Sequence, residues 1–152
     1  TIAADMRSER ITVAKEWGAA SGGVPGTDDL AELCMLQSDG RGVDCVVLTI
    51  VNAATISLAL ACLRDGGNII IFGGKPGAEL SLPLWDIWLR EINLISSYSA
   101  TPKGLHTAME ILSGAGYAGL ENLISHQMPL AEAQAAFELV VQGKASKAVI
   151  VA

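Results

Sequence analysis

The chain has 152 residues, 51% of them hydrophobic and 17% charged, and a net charge of −6. This composition indicates a folded globular chain and argues against nucleic acid or an anionic membrane as partner. No apolar run approaches the ~20 residues of a membrane span. A small anionic cofactor stays compatible with this acidity, because helix N-termini bind phosphate locally.

Strand and helix patterns alternate along the whole chain, with apolar strands that resemble those of buried parallel sheets. In chain order we expect a strand ending at Asp5, a helix over 8–17, a loop over 21–26, and a helix that is capped by Thr27 or Asp28 and runs to about Ser38. A strand over 43–51, covered on both faces, should follow, then a helix over 53–63 capped by Asn52, a strand over 68–72, a short helix after Pro83 with Trp85 and Trp88 as packing residues, and a strand over 92–98. The last elements expected are a helix from Thr101 to Leu112, a strand near 123–125, a helix over 130–142 and a strand over 148–151. This order predicts an α/β fold with a doubly wound parallel sheet.

Asp5 ends its strand where a dinucleotide-binding unit places the acid that binds ribose. A carboxylate there can accept both ribose hydroxyls and repel a 2′-phosphate, or it can simply cap the next helix. Arg7 and Arg10 can stack on adenine or pair with a 2′-phosphate, so the residues favour NAD over NADP without excluding NADP. The glycine-rich turn expected about 20 residues earlier is not in the chain. We therefore expect that turn, with the first strand of the sheet, upstream of Thr1.

Two other glycine-rich segments are candidates for contact with a cofactor. Residues 114–119 match G-x-G-x-x-G, but a predicted helix precedes them, and the fingerprint requires a strand there, so a loop is expected. Gly73 and Gly74 follow a predicted strand at the carboxyl edge of the sheet, where ligands bind in such folds. They can allow close approach of a flat ring, provide a turn with positive φ, or do both.

No residue pattern in the chain indicates catalysis or metal binding. His106 on a predicted helix and His126 in a predicted turn are not expected to have the carboxylate, Ser or Cys neighbours that a catalytic or ligand role would suggest, and no His/Cys/Glu cluster has metal-ligand spacing. The chain has three cysteines, and they lie in apolar contexts without CxxC spacing: Cys34, Cys45 and Cys62. They predict buried, reduced thiols and a cytoplasmic location.

Several weak motifs occur in an order that resembles the medium-chain dehydrogenases/reductases, and in particular the zinc-dependent alcohol and polyol dehydrogenases. They are A-D-M-R-S-E-R at 4–10, G-R-G-V-D at 40–44, L-R-D-G-G at 63–67, S-S-Y-S-A-T at 96–101, I-S-H-Q-M-P-L at 124–130 and G-K-A-S-K at 143–147. The resemblance covers essentially all 152 residues. It implies hydride transfer between a secondary alcohol or polyol and NAD(H), with the zinc ligands in an N-terminal substrate domain that this chain lacks.

The resemblance also implies roles for individual residues. Asp5 would bind the adenosine ribose, Arg10 would flank the adenine and Lys147 would approach the pyrophosphate. The cofactor crevice would be lined by Thr49, Ile50, Phe72, Gly73, Ser97 and Tyr98. Residues 1–100 would form a partial dinucleotide-binding domain, and residues 101–152 a C-terminal segment that packs with a GroES-like substrate domain.

We expect the chain alone to be inactive, because its sheet would lack the central first strand and leave two interior edges unpaired. The strand over 92–98 is expected at the outer edge of the sheet, where the resemblance implies pairing with a second copy in a homo-oligomer. Two alternatives stay open: a zinc-free NADPH-dependent quinone or enoyl reductase of the same superfamily, and a non-catalytic nucleotide-binding or assembly module.

Overall fold

The structure, a computed structural model, describes residues 1–114 and 120–152. These residues form two compact units, Thr1–Ser99 and Ala100–Ala152. Among the described helices, none combines the length and the apolar character needed to cross a membrane.

The first unit alternates strands and helices. Its elements are β1 (Ile2–Ala4), α1 (Ser8–Glu16), β2 (Ser21–Gly23), α2 (Leu30–Leu36), β3 (Val43–Leu48), α3 (Ala53–Cys62), β4 (Leu63–Ile71), α4 (Leu84–Leu89) and β5 (Asn93–Ser96). Every strand pair is parallel, which confirms the predicted parallel α/β architecture.

The strands of the first unit form two separate sheets, β1–β2 and β3–β4–β5. Within residues 1–114 and 120–152, β1 pairs only with β2, and β3 only with β4. The expected pair of unpaired strand edges is thus confirmed for the described residues. The predicted outer-edge position of β5 is confirmed too, because β5 pairs only with β4 in the described chain.

Strand β2 is the element that the sequence analysis missed, since residues 21–26 were expected to form a loop. A Cβ atom at Gly22 would lie 2.7 Å from the Ala3 carbonyl oxygen, so glycine permits the close pairing of β2 with β1. Glycine has low intrinsic strand propensity, and the ladder offered by β1 overrides it here.

Side-chain caps define where α2 and α3 begin. Asp29, rather than Thr27 or Asp28, caps α2 by accepting a hydrogen bond from the Glu32 N–H. Asn52 caps α3 as predicted, and its Oδ1 accepts from the Thr55 N–H at 3.0 Å while Thr55 Oγ1 accepts from the Asn52 N–H at 3.0 Å. This reciprocal pair is a capping box.

The main core of the first unit lies on one face of the β3–β4–β5 sheet. It joins Leu48 and Ile69 of the sheet to Ile56 of α3 and Ile87 of α4. On the opposite face Val47 is 57% exposed, so the prediction that β3 is covered on both faces is wrong for the described residues. The sequence predicts a fully buried strand because apolar residues occur on both faces of β3.

Helix α4 also departs from its prediction. Trp85 and Trp88 were expected to be packing residues, but within the first unit both are exposed, at 68% and 66%. Their rings lie against each other with centroids 5.2 Å apart. Only Ile87 of this helix is buried.

The second unit contains two helices and a two-stranded parallel sheet. Its elements are α5 (Pro102–Ser113), a 3₁₀ turn (Leu120–Leu123), β6 (His126–Pro129), a second 3₁₀ turn (Leu130–Glu132), α6 (Ala133–Val141) and β7 (Ala148–Val151). Thr101 caps α5 as predicted, through a hydrogen bond from the Gly104 N–H. The strand expected near 123–125 begins at His126 instead.

Helix α5 ends directly before the G-x-G-x-x-G match, as the sequence analysis expected. Gly114 follows the helix as its C-cap residue. Residues 115–119, on which the rest of that motif falls, lie outside the described residues.

Candidate cofactor-binding site

The carboxyl ends of β3, β4 and β5 lie side by side in the first unit. Leu48 is in register with Ile71, and Ile71 with Ser96. Just beyond the strands, the Phe72 N–H donates to the Leu48 carbonyl at 2.9 Å, and the Ser97 N–H to the Ile71 carbonyl at 2.9 Å. The predicted crevice residues that follow these strands therefore share one edge of one sheet.

Gly73 brings two of these strand ends into direct backbone contact. A Cβ atom at this position would lie 2.0 Å from the Thr49 carbonyl oxygen, closer than real Cβ contacts come. Neither Gly73 nor Gly74 has positive φ, so the alternative of a turn that requires left-handed backbone is wrong for both. The glycine is needed because the backbone of Thr49 occupies the space of a side chain.

Large apolar side chains at this edge stay accessible. Ile50, Phe72 and Tyr98 are 68%, 61% and 98% exposed, and Thr49 and Ser97 are exposed as well. Apolar and aromatic side chains, with a few backbone polar groups, are the residue types that usually line small-molecule sites. The edge thus offers contacts for a flat ring.

Asp5 follows β1 and is held by two donors from the start of the next helix. Its Oδ1 accepts from the Arg7 N–H at 2.9 Å, and Arg10 Nη1 lies 3.3 Å from its Oδ2. The hydrogen bond from Arg7, the N-cap residue of α1, shows that the carboxylate does organise the helix entry. Asp5 is only half-buried, so this capping role leaves part of the carboxylate accessible.

A second ion pair lies beside the first. Arg7 Nε is 2.6 Å from Glu9 Oε1. A hydrogen bond donated by the backbone N–H of Glu9 itself, and then one from the Arg7 guanidinium, hold the pKa of the Glu9 carboxyl below its usual value. We call Asp5, Arg7, Glu9 and Arg10 the strand-end charge cluster.

Lys147, the last predicted site residue, belongs to the second unit. Its side chain is exposed, and its carbonyl oxygen accepts from the Ser125 N–H at 2.9 Å. Its contact with a pyrophosphate stays a prediction.

The two histidines have closer polar partners than the sequence analysis expected. His126 Nδ1 lies 3.0 Å from Ser125 Oγ, and His106 Nε2 lies 3.4 Å from Glu110 Oε1. Ser125 Oγ also accepts from the Ser146 N–H at 3.0 Å. That hydroxyl therefore links the segment before β7 to the start of β6, which is a structural role.

An arginine network that the sequence analysis did not predict lies in the first unit. Asp44 accepts hydrogen bonds from Arg41 at 2.7 Å and from Arg64 at 2.6 Å. These bonds lower the pKa of Asp44 to about 2, and the bond from Arg41 contributes most. Arg90 donates to Asp65 at 2.7 Å and also to the carbonyl oxygens of Leu60, at 2.8 Å, and Leu63. The motifs at 40–44 and 63–67 thus serve structure.

The three cysteines are free thiols in two different environments. Cys34 and Cys62 are buried in a cluster with Leu30, as predicted, whereas Cys45 is exposed, so the prediction of burial is wrong there. Burial, and then the neighbouring Cys34, raises the pKa of Cys62 to about 12.

Within residues 1–114 and 120–152, no group of three or more His, Cys, Asp or Glu side chains is placed to hold a metal ion. The described residues therefore do not fit a zinc site. The accessible strand ends and the Asp5 carboxylate do offer the apolar surface and hydroxyl acceptor that a dinucleotide requires.

Comparison with known proteins identifies relatives across the whole chain. A family described as zinc-binding dehydrogenase matches residues 1–114. The chain is 27% identical over 149 residues to an alcohol dehydrogenase of Geobacillus stearothermophilus, covering 98% of this chain and 42% of that protein. It is 33% identical over 147 residues to a sorbitol dehydrogenase of Bacillus subtilis, covering 94% and 40%. The chain therefore spans less than half the length of these curated relatives.

Solved structures show the same fold. An alcohol dehydrogenase from Thermotoga maritima superposes with a TM-score of 0.90 at 22% identity, covering 98% of this chain and 42% of that one. An alcohol dehydrogenase from Thermus sp. ATN1 gives 0.84 at 26% identity, covering 99% and 43%. The split parallel sheets thus correspond to part of a Rossmann-like domain.

Proposed function

The chain belongs to the zinc-binding dehydrogenase family, and on that premise we propose that it is the cofactor-binding portion of an oxidoreductase acting on a secondary alcohol or polyol with NAD(H). The observation that carries the proposal is Asp5, a half-buried carboxylate directly after the first strand of a family-matched Rossmann-like sheet. Such an acid accepts the ribose hydroxyls of NAD.

The described residues divide the binding work between two groups. Asp5 accepts ribose hydroxyls, and Arg10 flanks the adenine. The exposed strand ends contact the rest of the dinucleotide, through Thr49, Ile50, Phe72, Gly73, Ser97 and Tyr98. Bound NAD(H) would supply the hydride acceptor or donor.

Catalysis requires parts beyond the described residues. The two sheets of the first unit leave one edge of β1 and one of β3 without a partner among the described strands. We propose that a central strand with its glycine-rich turn completes the sheet, and that zinc binds in a substrate domain. The 152-residue chain by itself is then inactive.

We also propose a homo-oligomer formed through β5. All four residues of this edge strand are exposed, and their unpaired backbone groups can extend the sheet into a second copy. The proposed location is the cytoplasm, supported by three free cysteines.

The test compares the protein expressed from its complete reading frame with the 152-residue chain. For the complete protein we expect NADH binding by calorimetry, alcohol-dependent NADH production and zinc by metal analysis. For the 152-residue chain, verified by intact mass, we expect no turnover. Turnover by the short chain, or a complete protein that binds no dinucleotide, would contradict the proposal.

One observation favours a second candidate, the zinc-free NADPH-dependent reductase. The Arg10 guanidinium lies 3.3 Å from the Asp5 carboxylate, and a guanidinium can pair with a 2′-phosphate. A complete protein without zinc that binds NADPH more tightly than NADH would support this candidate. Dinucleotide binding without turnover would instead support a non-catalytic nucleotide-binding module, and absence of any dinucleotide binding a non-catalytic assembly module.

A further inference from the structure

A pocket lies at the edge of the β3–β4–β5 sheet opposite the candidate cofactor site. Because β3 and β4 are parallel, their first residues, Val43 and Leu63, lie together at the amino edge. The length of β3, at roughly 3.3 Å per residue, separates this edge from the carboxyl edge by about 17 Å. The pocket, which we call the arginine pocket, has a volume of about 510 Å³ and is lined by Met35, Arg41, Leu63, Arg64, Asp65 and Arg90.

Arginine is concentrated at this pocket. Of the five arginines in the chain, two belong to the strand-end charge cluster, and the other three line the arginine pocket. Their acidic partners are Asp44 and Asp65, so three positive and two negative charges leave one net positive charge. The whole chain carries −6. The pocket is therefore a local positive site on an acidic chain, which favours an anion as ligand.

Two of the three guanidinium groups are fixed by the fold. Arg90 donates from Nε to Asp65 at 2.7 Å and from its Nη atoms to two backbone carbonyl oxygens at the junction of α3 and β4. Arg64 donates from Nε to Asp44 at 2.6 Å and from Nη1 to the Asp65 carbonyl at 2.7 Å. A group that is already ordered loses little conformational entropy when a ligand binds.

Arg41 and Arg64 also keep hydrogen-bond donors for a ligand. A guanidinium carries five N–H donors. Arg41 donates two hydrogen bonds to Asp44, at 2.7 and 3.2 Å, and Arg64 likewise donates two among the described residues. The same two groups, Arg41 first, lower the pKa of Asp44 to about 2, so they stabilise negative charge at this position. Their further N–H groups match the oxygen atoms of a phosphate.

We propose that the arginine pocket binds a phosphate group, as inorganic phosphate or as the phosphate of a small phosphomonoester. Arg41 and Arg64 donate to the phosphate oxygens, and Arg90 adds positive charge. The volume lies within the range of small-molecule pockets, so it also has room for the organic part of a phosphomonoester. This site is separate from the candidate cofactor edge and does not depend on the proposed function.

Two substitutions should change phosphate affinity in opposite directions. Arg41→Gln removes a positive charge roughly 5 Å from a phosphate of nearly two negative charges, and should weaken binding about five- to tenfold. Asp65→Asn removes a negative charge from the same pocket, and should strengthen binding about two- to fivefold. Both break an ion pair, so a network with only a structural role would change stability without this opposite effect on affinity.

The experiment measures dissociation constants by calorimetry on the protein from its complete reading frame. The ligands are inorganic phosphate and glycerol 3-phosphate at constant ionic strength, with glycerol as the neutral comparison. The variants are Arg41→Gln, Arg41→Lys and Asp65→Asn, and Lys15→Gln is the matched control. Lys15 is an exposed cation of the same unit that does not line the arginine pocket. Urea midpoints verify that each variant is folded.

We expect a wild-type dissociation constant of roughly 0.1–5 mM, from two or three hydrogen bonds between charged groups. Binding should weaken in Arg41→Gln, recover partly in Arg41→Lys, strengthen in Asp65→Asn and stay unchanged in Lys15→Gln. Tighter binding of glycerol 3-phosphate than of phosphate would identify a phosphomonoester as the occupant, and the reverse order would identify inorganic phosphate.

Two results would overturn the proposal. One is a folded wild-type protein that binds neither ligand at ten times the expected dissociation constant. The other is phosphate binding of equal strength in wild type, Arg41→Gln and Asp65→Asn, which would place the phosphate elsewhere on the protein. Neither result bears on the proposed function, which is tested by NADH binding.

Discussion

Replacement of Gly73 by alanine tests the packing of the candidate site directly. The added Cβ atom would lie 2.0 Å from the Thr49 carbonyl oxygen, and real Cβ contacts are essentially never under 3.0 Å. The two strand ends must therefore separate by about 1 Å at this point. Thr49 and Gly73 are both predicted to contact the cofactor, so the site is deformed along with the sheet.

The cost combines two contributions. Overpacking a filled site costs roughly 1–3 kcal/mol. Two hydrogen bonds join the same strand ends, from the Phe72 and Gly73 N–H groups to the Leu48 carbonyl at 2.9 and 3.3 Å, and loss of one of them would cost a further roughly 0.5–1.5 kcal/mol. We therefore expect Gly73→Ala to lower the free energy of unfolding by roughly 2–4 kcal/mol. This corresponds to a Tm decrease of roughly 5–15 °C.

The neighbouring Gly74 provides a matched control. A Cβ atom there would have no heavy atom within 4 Å, and its φ is not positive. Gly74→Ala should therefore be neutral or stabilising by up to about 1 kcal/mol, because alanine lowers the conformational entropy of the unfolded chain.

Urea denaturation of both variants and wild type, in the protein from its complete reading frame, measures the difference. We expect a lower midpoint for Gly73→Ala at unchanged m-value, and weaker NADH binding in the folded variant. Unfolding free energies of the two alanine variants within 0.5 kcal/mol of each other would refute the argument from close backbone contact.

Three further predictions concern other parts of the first unit. Asn52→Ala should cost about 1 kcal/mol and Asn52→Asp only a few tenths, as measured by urea midpoints, and equal costs would argue against the capping box. The pKa of Asp44 is lowered to about 2, so its ion pairs should stabilise the fold above about pH 4 and lose that effect as pH falls toward 2; an NMR titration with an ordinary midpoint for Asp44 would contradict this. At pH 8 iodoacetamide should modify Cys45 well before Cys34 and Cys62, since burial raises the pKa of Cys62 to about 12, and mass spectrometry showing equal rates would disprove it.

Most elements of the fold could be predicted because their signals are local. The apolar run of β7 and the cap residues Asn52 and Thr101 lie where the sequence analysis placed them. Each depends on residues within one turn or one strand of itself. Strand β2 was missed because its glycines form a strand only where β1 provides the hydrogen-bonding partner.

The sequence predicted which residues belong to the candidate site, but not how these residues contact one another. Asp5 and Gly73 were identified from their positions after apolar strands, which sets them at the carboxyl edge of a parallel sheet. The pairing of Asp5 with Arg10, five residues later, depends on how α1 leaves the strand. The contact of Gly73 with Thr49 joins residues 24 positions apart, so only the register of β3 and β4 creates it.

The sequence by itself determined the alternation of elements, the parallel sheet and the acid at the end of β1, because hydrophobic period, caps and strand-end position are local properties. The tertiary structure decided that the described strands form two separate sheets, that Val47 and Trp85 are exposed, and that Arg10 neutralises Asp5. These features depend on which surfaces meet across the fold. An apolar residue has the same letter whether its face is covered or open, and a carboxylate has the same letter whether a guanidinium lies beside it or not.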